Sequence, residues 1–143
     1  MAVDSWVSAG TYTAMPDPTL TPGVVLDTDP AVICAPGYAH AHRVWHDKRS
    51  TLLKYGISPA NARKYEDDDL VPVCLGGNNA DPHNHWAQPI AEAREKDEKL
   101  EWPMCRSICS GDYLQHGQAL LDAQHFFLSG QWAQVMNLKE SLR

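Results

Sequence analysis

Tyr65-Glu66-Asp67-Asp68-Asp69-Leu70-Val71-Pro72-Val73-Cys74-Leu75-Gly76-Gly77 sets four carboxylates in a row against an apolar run and a double glycine. Four adjacent carboxylates repel one another unless water or a shared cation screens them. Such a run is most often an exposed acidic turn. Here it leads straight into Leu70-Val71-Pro72-Val73, read as a short strand in an edge position because Pro72 has no N–H to offer a ladder. Strand alternation sends Asp67 and Asp69 to one face and Asp68 to the other. Gly76-Gly77-Asn78-Asn79 reads as a turn, Asp81-Pro82 as a second, and Asn84-His85-Trp86 as a brief return strand. A strand, turn, strand and helix with polar residues converging at their ends can hold one divalent cation on carboxylate oxygens against a phosphate.

Upstream, residues 1–33 carry prolines at 16, 18, 22 and 30 and little periodicity. They read as an extended arm with a short strand at Gly23-Val24-Val25-Leu26. Cys34-Ala35-Pro36-Gly37-Tyr38 is a turn. Asp47 is a good N-cap for a helix through Leu52, Leu53 and Tyr55 that stops at Gly56, with Val44 and Trp45 covering its first turn. A polar linker runs from Ser58 to Lys64. Downstream, Ala91, Ala93, Leu100, Met104 and Ile108 form the apolar stripe of a helix from Ile90 to about Cys109, kinked at Pro103 and ended by Gly111. A second amphipathic helix spans Leu114 to Leu128 and stops at Gly130, and a last short one begins at Trp132. The class is α+β: a short β-hairpin followed by a helix, embedded among several α-helices.

The 143 residues suffice for one domain with one core. No segment is long and apolar enough to span a membrane, and Met1 to Gly10 shows no basic region followed by an apolar run. There are 12 basic and 18 acidic side chains, a formal charge of −6, so the whole-molecule field does not attract polyphosphate. The four cysteines are Cys34, Cys74, Cys105 and Cys109, and their spacing is not that of a zinc ribbon. Buried thiols are one reading and two disulfides the other. An even count in a small, Pro-rich chain favours disulfides and an exported or periplasmic location.

The stretch from Tyr65 to Gly77, continued by Asp81-Pro82-His83-Asn84-His85-Trp86-Ala87-Gln88-Pro89, resembles the HNH (ββα-metal) nuclease family. It is similar to the small bacterial branch with an Asp-His-Leu strand start, a Leu-Gly-Gly turn and an Asn-Leu-Trp-Pro-Gln-Pro return. Cys34-Ala35-Pro36-Gly37-Tyr38 with Arg43-Val44 looks like that branch's Cys-x-Pro-Gly opening. Lys96-Asp97 with Glu101, then Ile108-Cys109-Ser110-Gly111, looks like its helix and closing Cys-Ser-Gly. The likeness runs over roughly residues 22–136. It makes residues 34–143 a single HNH-like domain with a ββα-metal motif.

The resemblance implies metal-dependent hydrolysis of nucleic-acid phosphodiesters, with Mg²⁺ or Mn²⁺ favoured over Zn²⁺. It assigns the metal-binding Asp to Asp68 and the orienting Asn to Asn84. The third ligand comes from the helix, where Glu92, Glu95 and Asp97 are candidates and Asp97 matches the pattern. Lys96 would touch phosphate, or Glu92/Lys96 and Glu95/Lys99 would be ordinary helix pairs. Cys34 and Cys109 match family cysteines while Cys74 and Cys105 do not, which implies Cys34–Cys109 and Cys74–Cys105 bridges. Cys74 stands where a Glu is usual and His85 where a Leu is usual.

The base position is Asp69, so the histidine that names the family is absent. A histidine suits base catalysis at neutral pH, and such catalysis is worth about two to four powers of ten in rate. An Asp beside another Asp and a metal is a ligand more than a proton acceptor. His85, or His83, flanking Asn84, is the remaining candidate base. As an alternative, His83 is solvent-exposed and His85 is a packed structural residue. The alternating spacing of His40, His42 and His46 suggests a metal on one reading and an exposed polar turn on the other, which is favoured; His116 and His125 read as helix-surface residues. Two functions follow: a nuclease acting on nucleic acid, or a catalytically degenerate HNH-derived module that binds a protein partner. An engineered replacement of a native His by Asp69 would give the same sequence.

Overall fold

The computed structural model describes residues 14–141, with side chains through residue 137. Helices and one antiparallel hairpin make a mixed α+β fold. Strand β1 is Tyr65–Asp69 and β2 is His85–Pro89, paired from Tyr65 opposite Pro89 to Asp69 opposite His85. The first strand therefore lies on the acidic run itself, one step before the expected Leu70–Val73. The apolar residues instead turn into the core, where Leu70, Val71, Val73 and Leu75 are all buried.

Asn84 explains why the ladder stops there. Its Oδ1 accepts from the backbone N–H of Val71 and of Val24, each at 3.1 Å, and its Nδ2 donates to the Val71 carbonyl. One side-chain amide thus takes over both polar groups of Val71 and frees the chain to turn at Pro72, which has no N–H to pair. Gly76 and Gly77 follow because backbone crosses backbone at this point. A Cβ on Gly76 would sit 2.1 Å from the Asp27 carbonyl oxygen, and one on Gly77 only 1.8 Å from that of Val71. The arm lies across this turn through an isolated bridge, Val25 to Gly77, with Leu26 N–H donating to the Gly76 carbonyl. The part of the arm before residue 14 lies outside the described residues.

Short helices α1 (Pro30–Ile33) and α2 (Tyr38–His42) precede α3 (Lys48–Lys54). Asp47 caps α3 by accepting from the Arg49 N–H, as its sequence position suggested. Val44 and Trp45 do not cover that first turn: Trp45 is 87% exposed and Val44 46%. The linker before β1 forms a 3₁₀ turn, Pro59–Lys64.

After β2 comes α4 (Ile90–Lys96), then a π-helical turn, Asp97–Glu101, then α5 (Trp102–Ile108). The kink expected at Pro103 takes this form. Proline cannot donate to the carbonyl four residues back, and the widened turn closes with Trp102 N–H on the Asp97 carbonyl, five residues back. Helices α6 (Gly117–Leu128) and α7 (Gln131–Ser141) complete the fold. Leu120 and Phe127 from α6 and Trp132 and Met136 from α7 bury themselves against Leu75 and Trp86 of the hairpin region. Two disulfides, Cys34–Cys109 and Cys74–Cys105, tie the C-cap of α1 and the β1–β2 connection to the C-cap and the middle of α5.

Candidate functional site

Alternation along β1 divides its acids between two environments. Asp67 meets histidines, and Asp68 points toward α4 and the π turn. Asp69, at the strand's end, bonds on the histidine side and also lines the rim of the cleft beyond.

On the α4 side lies a cleft of about 220 Å³, lined by Arg43, Glu66, Asp68, Asp97, Glu101 and Trp102 among others. Carboxylate oxygens of Asp68, Asp97 and Glu101 lie within 4.8 Å of one another, a spacing that suits a cation. The cation present is Lys96. Its side chain is fully buried, its Nζ donates to Asp68 and lies 3.0 Å from Glu101 Oε2, and the Trp132 ring centroid is 5.1 Å away. Burial alone would lower the Lys96 pKa, but the charges and hydrogen bonds of Asp68 and Glu101 outweigh it and the net shift is upward. The ammonium is therefore held charged. Burial, together with Asp68 and Asp97, pushes the Glu101 carboxyl up against the pull of Lys96.

Lys96 and Glu101 are five residues apart, which in an α-helix would set them about 140° around the axis from each other. The π turn cancels most of that rotation and brings them together. These residues do not fit a resident Mg²⁺ or Mn²⁺ as arranged, because an ammonium already takes the oxygens of Asp68 and Glu101 that a metal would need. Asp97 stands at the cleft with its carboxyl pushed up by burial and by Asp68. Glu66, on the same strand face as Asp68, is pushed up to about 7 by burial and then by Asp68 and Asp97.

On the opposite side, Asp67 sits between two imidazoles. His85 Nδ1 is 3.1 Å from its Oδ1 and His46 Nδ1 is 2.9 Å from its Oδ2. The two rings meet edge to face at 4.0 Å. His85 Nε2 donates to the Asn79 carbonyl at 2.6 Å and lies 3.6 Å from Asp69 Oδ1. Burial would lower the His85 pKa, yet the Asp67 hydrogen bond, the Asn79 carbonyl and the Asp69 and Asp67 charges carry it upward. An acceptor faces each nitrogen of His85, an arrangement that favours the protonated ring. Burial raises the Asp69 carboxyl, with His85 and Asn79 only partly offsetting it. Its oxygens accept from Asn79 Nδ2 at 3.0 Å and Asn84 Nδ2 at 3.3 Å.

Of the residues singled out in the sequence, Asp69, Asn84 and His85 come together, and Asp68 and Asp97 meet across the strand from them. His83 is exposed, as its Pro-His turn suggested. Lys96, read as a phosphate contact or as a helix partner of Glu92, is instead found with its side chain fully buried against Asp68 and Glu101. In the sequence, Glu66 reads only as one of four adjacent acids, Asn79 only as part of the turn, Glu101 only within the resemblance, and His46 only for its spacing with His40 and His42. Asn79 also anchors the His46 segment, its Oδ1 accepting from the Val44 N–H at 2.7 Å. No family model, curated protein or solved structure matches the chain.

Proposed function

We propose that this chain is a catalytically degenerate HNH-like scaffold that works as a protein-binding module. The observation that carries this reading is the buried Lys96 ammonium on Asp68 and Glu101. A divalent ion placed on the same carboxylates would face a fixed positive charge about 3 Å from its ligands, a repulsion of several kcal/mol in a screened interior. Base chemistry is missing as well. Asp69 is a buried, hydrogen-bonded carboxylate, and both His85 nitrogens are engaged. The charge of −6 argues for a polypeptide partner over nucleic acid. Two disulfides suit an exported compartment, and among the described residues no helix is long and apolar enough to cross a membrane.

A second reading, residual metal-dependent hydrolysis, draws on the convergence of Asp68, Asp97 and Glu101 on a cleft edged by Arg43. Incubation of supercoiled plasmid with Mg²⁺ or Mn²⁺ separates the two. The protein is expected to leave the plasmid intact, as is Asp69→His, because Lys96 remains. Cleavage that disappears in Asp68→Ala would overturn the proposal and establish the hydrolase.

A further inference from the structure

We infer that His46, Asp67 and His85 form a binding site for a borderline-soft divalent cation of the Zn²⁺ type, separate from the carboxylate cluster on the other side of β1. This inference holds whether or not the chain hydrolyses anything, since none of the three residues belongs to the Asp68 cluster.

Two imidazoles and a carboxylate are the donor set of many three-ligand zinc sites, and imidazole selects Zn²⁺ over Mg²⁺. Their ligand atoms lie within 4.8 Å of one another. Asp67 presents one oxygen to each ring, Oδ2 at 2.9 Å from His46 Nδ1 and Oδ1 at 3.1 Å from His85 Nδ1, so the carboxylate lies between the two imidazoles where either oxygen can serve as ligand.

Independent support comes from what surrounds the ligands. A metal-bound histidine normally donates its other N–H to a carbonyl or carboxylate, which fixes its tautomer and orientation. His85 already has this arrangement: Nε2 is committed to the Asn79 carbonyl, so Nδ1 is the nitrogen facing Asp67. The Thr51 side chain bonds Asp67 as well. His46 comes from a different segment, tethered through Asn79, and its side chain is 33% exposed against 4% for His85. Entry and a solvent-facing fourth position therefore lie on the His46 side. Two other charges bear on the site. Lys54, whose Nζ donates to the His85 carbonyl at 3.0 Å, opposes a cation, and Asp69 beside His85 favours one.

Calorimetric titration with Zn²⁺, paired with Co²⁺ absorption spectroscopy, tests the site on the full oxidised chain. Parent protein is expected to bind one ion at micromolar or lower concentration and to give the visible bands of four-coordinate Co²⁺. His46→Ala, at a partly exposed position, should weaken binding by at least about 10- to 100-fold. Asp97→Asn and His83→Ala should leave it unchanged. The inference is overturned if the parent binds no Zn²⁺, if His46→Ala binds as the parent does, or if Asp97→Asn abolishes binding. Loss in Asp97→Asn would assign the ion to the carboxylate cluster, an outcome the plasmid experiment does not produce.

Discussion

Glu66 shares the cleft face of β1 with Asp68, and its carboxyl titrates near 7, where an unfolded chain would show about 4.5. The folded state holds this proton more tightly. Its contribution to stability is whole below the unfolded value and is lost as pH rises through 7. Glu66→Gln removes the titration, so its stability should be flatter over that window and exceed the parent's above pH 7. Because the site is half open to water, the gain is about 1–2 kcal/mol and not the full value of the shift. Urea unfolding at roughly pH 5 and pH 8 measures it. Lys96 gives the larger effect. Lys96→Met strands Asp68 and Glu101 in a buried site and is expected to cost about 3–5 kcal/mol. Millimolar Mg²⁺ or Ca²⁺ should restore part of that loss in the variant and none in the parent, a difference that thermal unfolding would read directly. Asn84→Ala should cost about 2–4 kcal/mol, because it leaves the N–H of Val71 unpaired in the core along with other bonds.

Strands and helices differ in how openly the sequence declares their partners. The two-residue period of β1 separated Asp67 from Asp68 before any coordinates, and the Gly76-Gly77 turn and the Asp47 cap were equally plain. Strand position was not, because Asn84 imitates a backbone partner for Val71 and no periodicity reveals a side chain doing so. Glu101 stayed hidden for a different reason: it reaches Lys96 only through a five-residue spacing that an α-helical wheel places far apart. His46 is brought to Asp67 by a tether on Asn79, a contact between distant segments with no local signature. The double glycine tests the crossing at this scale. Gly77→Ala should disrupt the turn, since its Cβ would collide with the Val71 carbonyl. A loss of several kcal/mol is expected, with amide exchange protection falling first at Val71 and Leu26.

At the scale of the whole molecule, two disulfides add covalent ties to the packing of arm, hairpin and helices. The outer bridge spans 75 residues and the inner one 31, the second nested inside the first. Chain entropy alone makes the outer closure worth about 4 kcal/mol. Reduction should therefore lower the urea midpoint sharply, and Cys34→Ser with Cys109→Ser should reproduce most of that change without reductant. Nesting also alters how the protein meets a protease. Any one of the 75 peptide bonds between Cys34 and Cys109 can be cut without releasing a fragment. A nicked molecule keeps its mass until it is reduced, so damage that would dismember an unbridged chain leaves this one in a single piece, with the side chains of both clusters still attached.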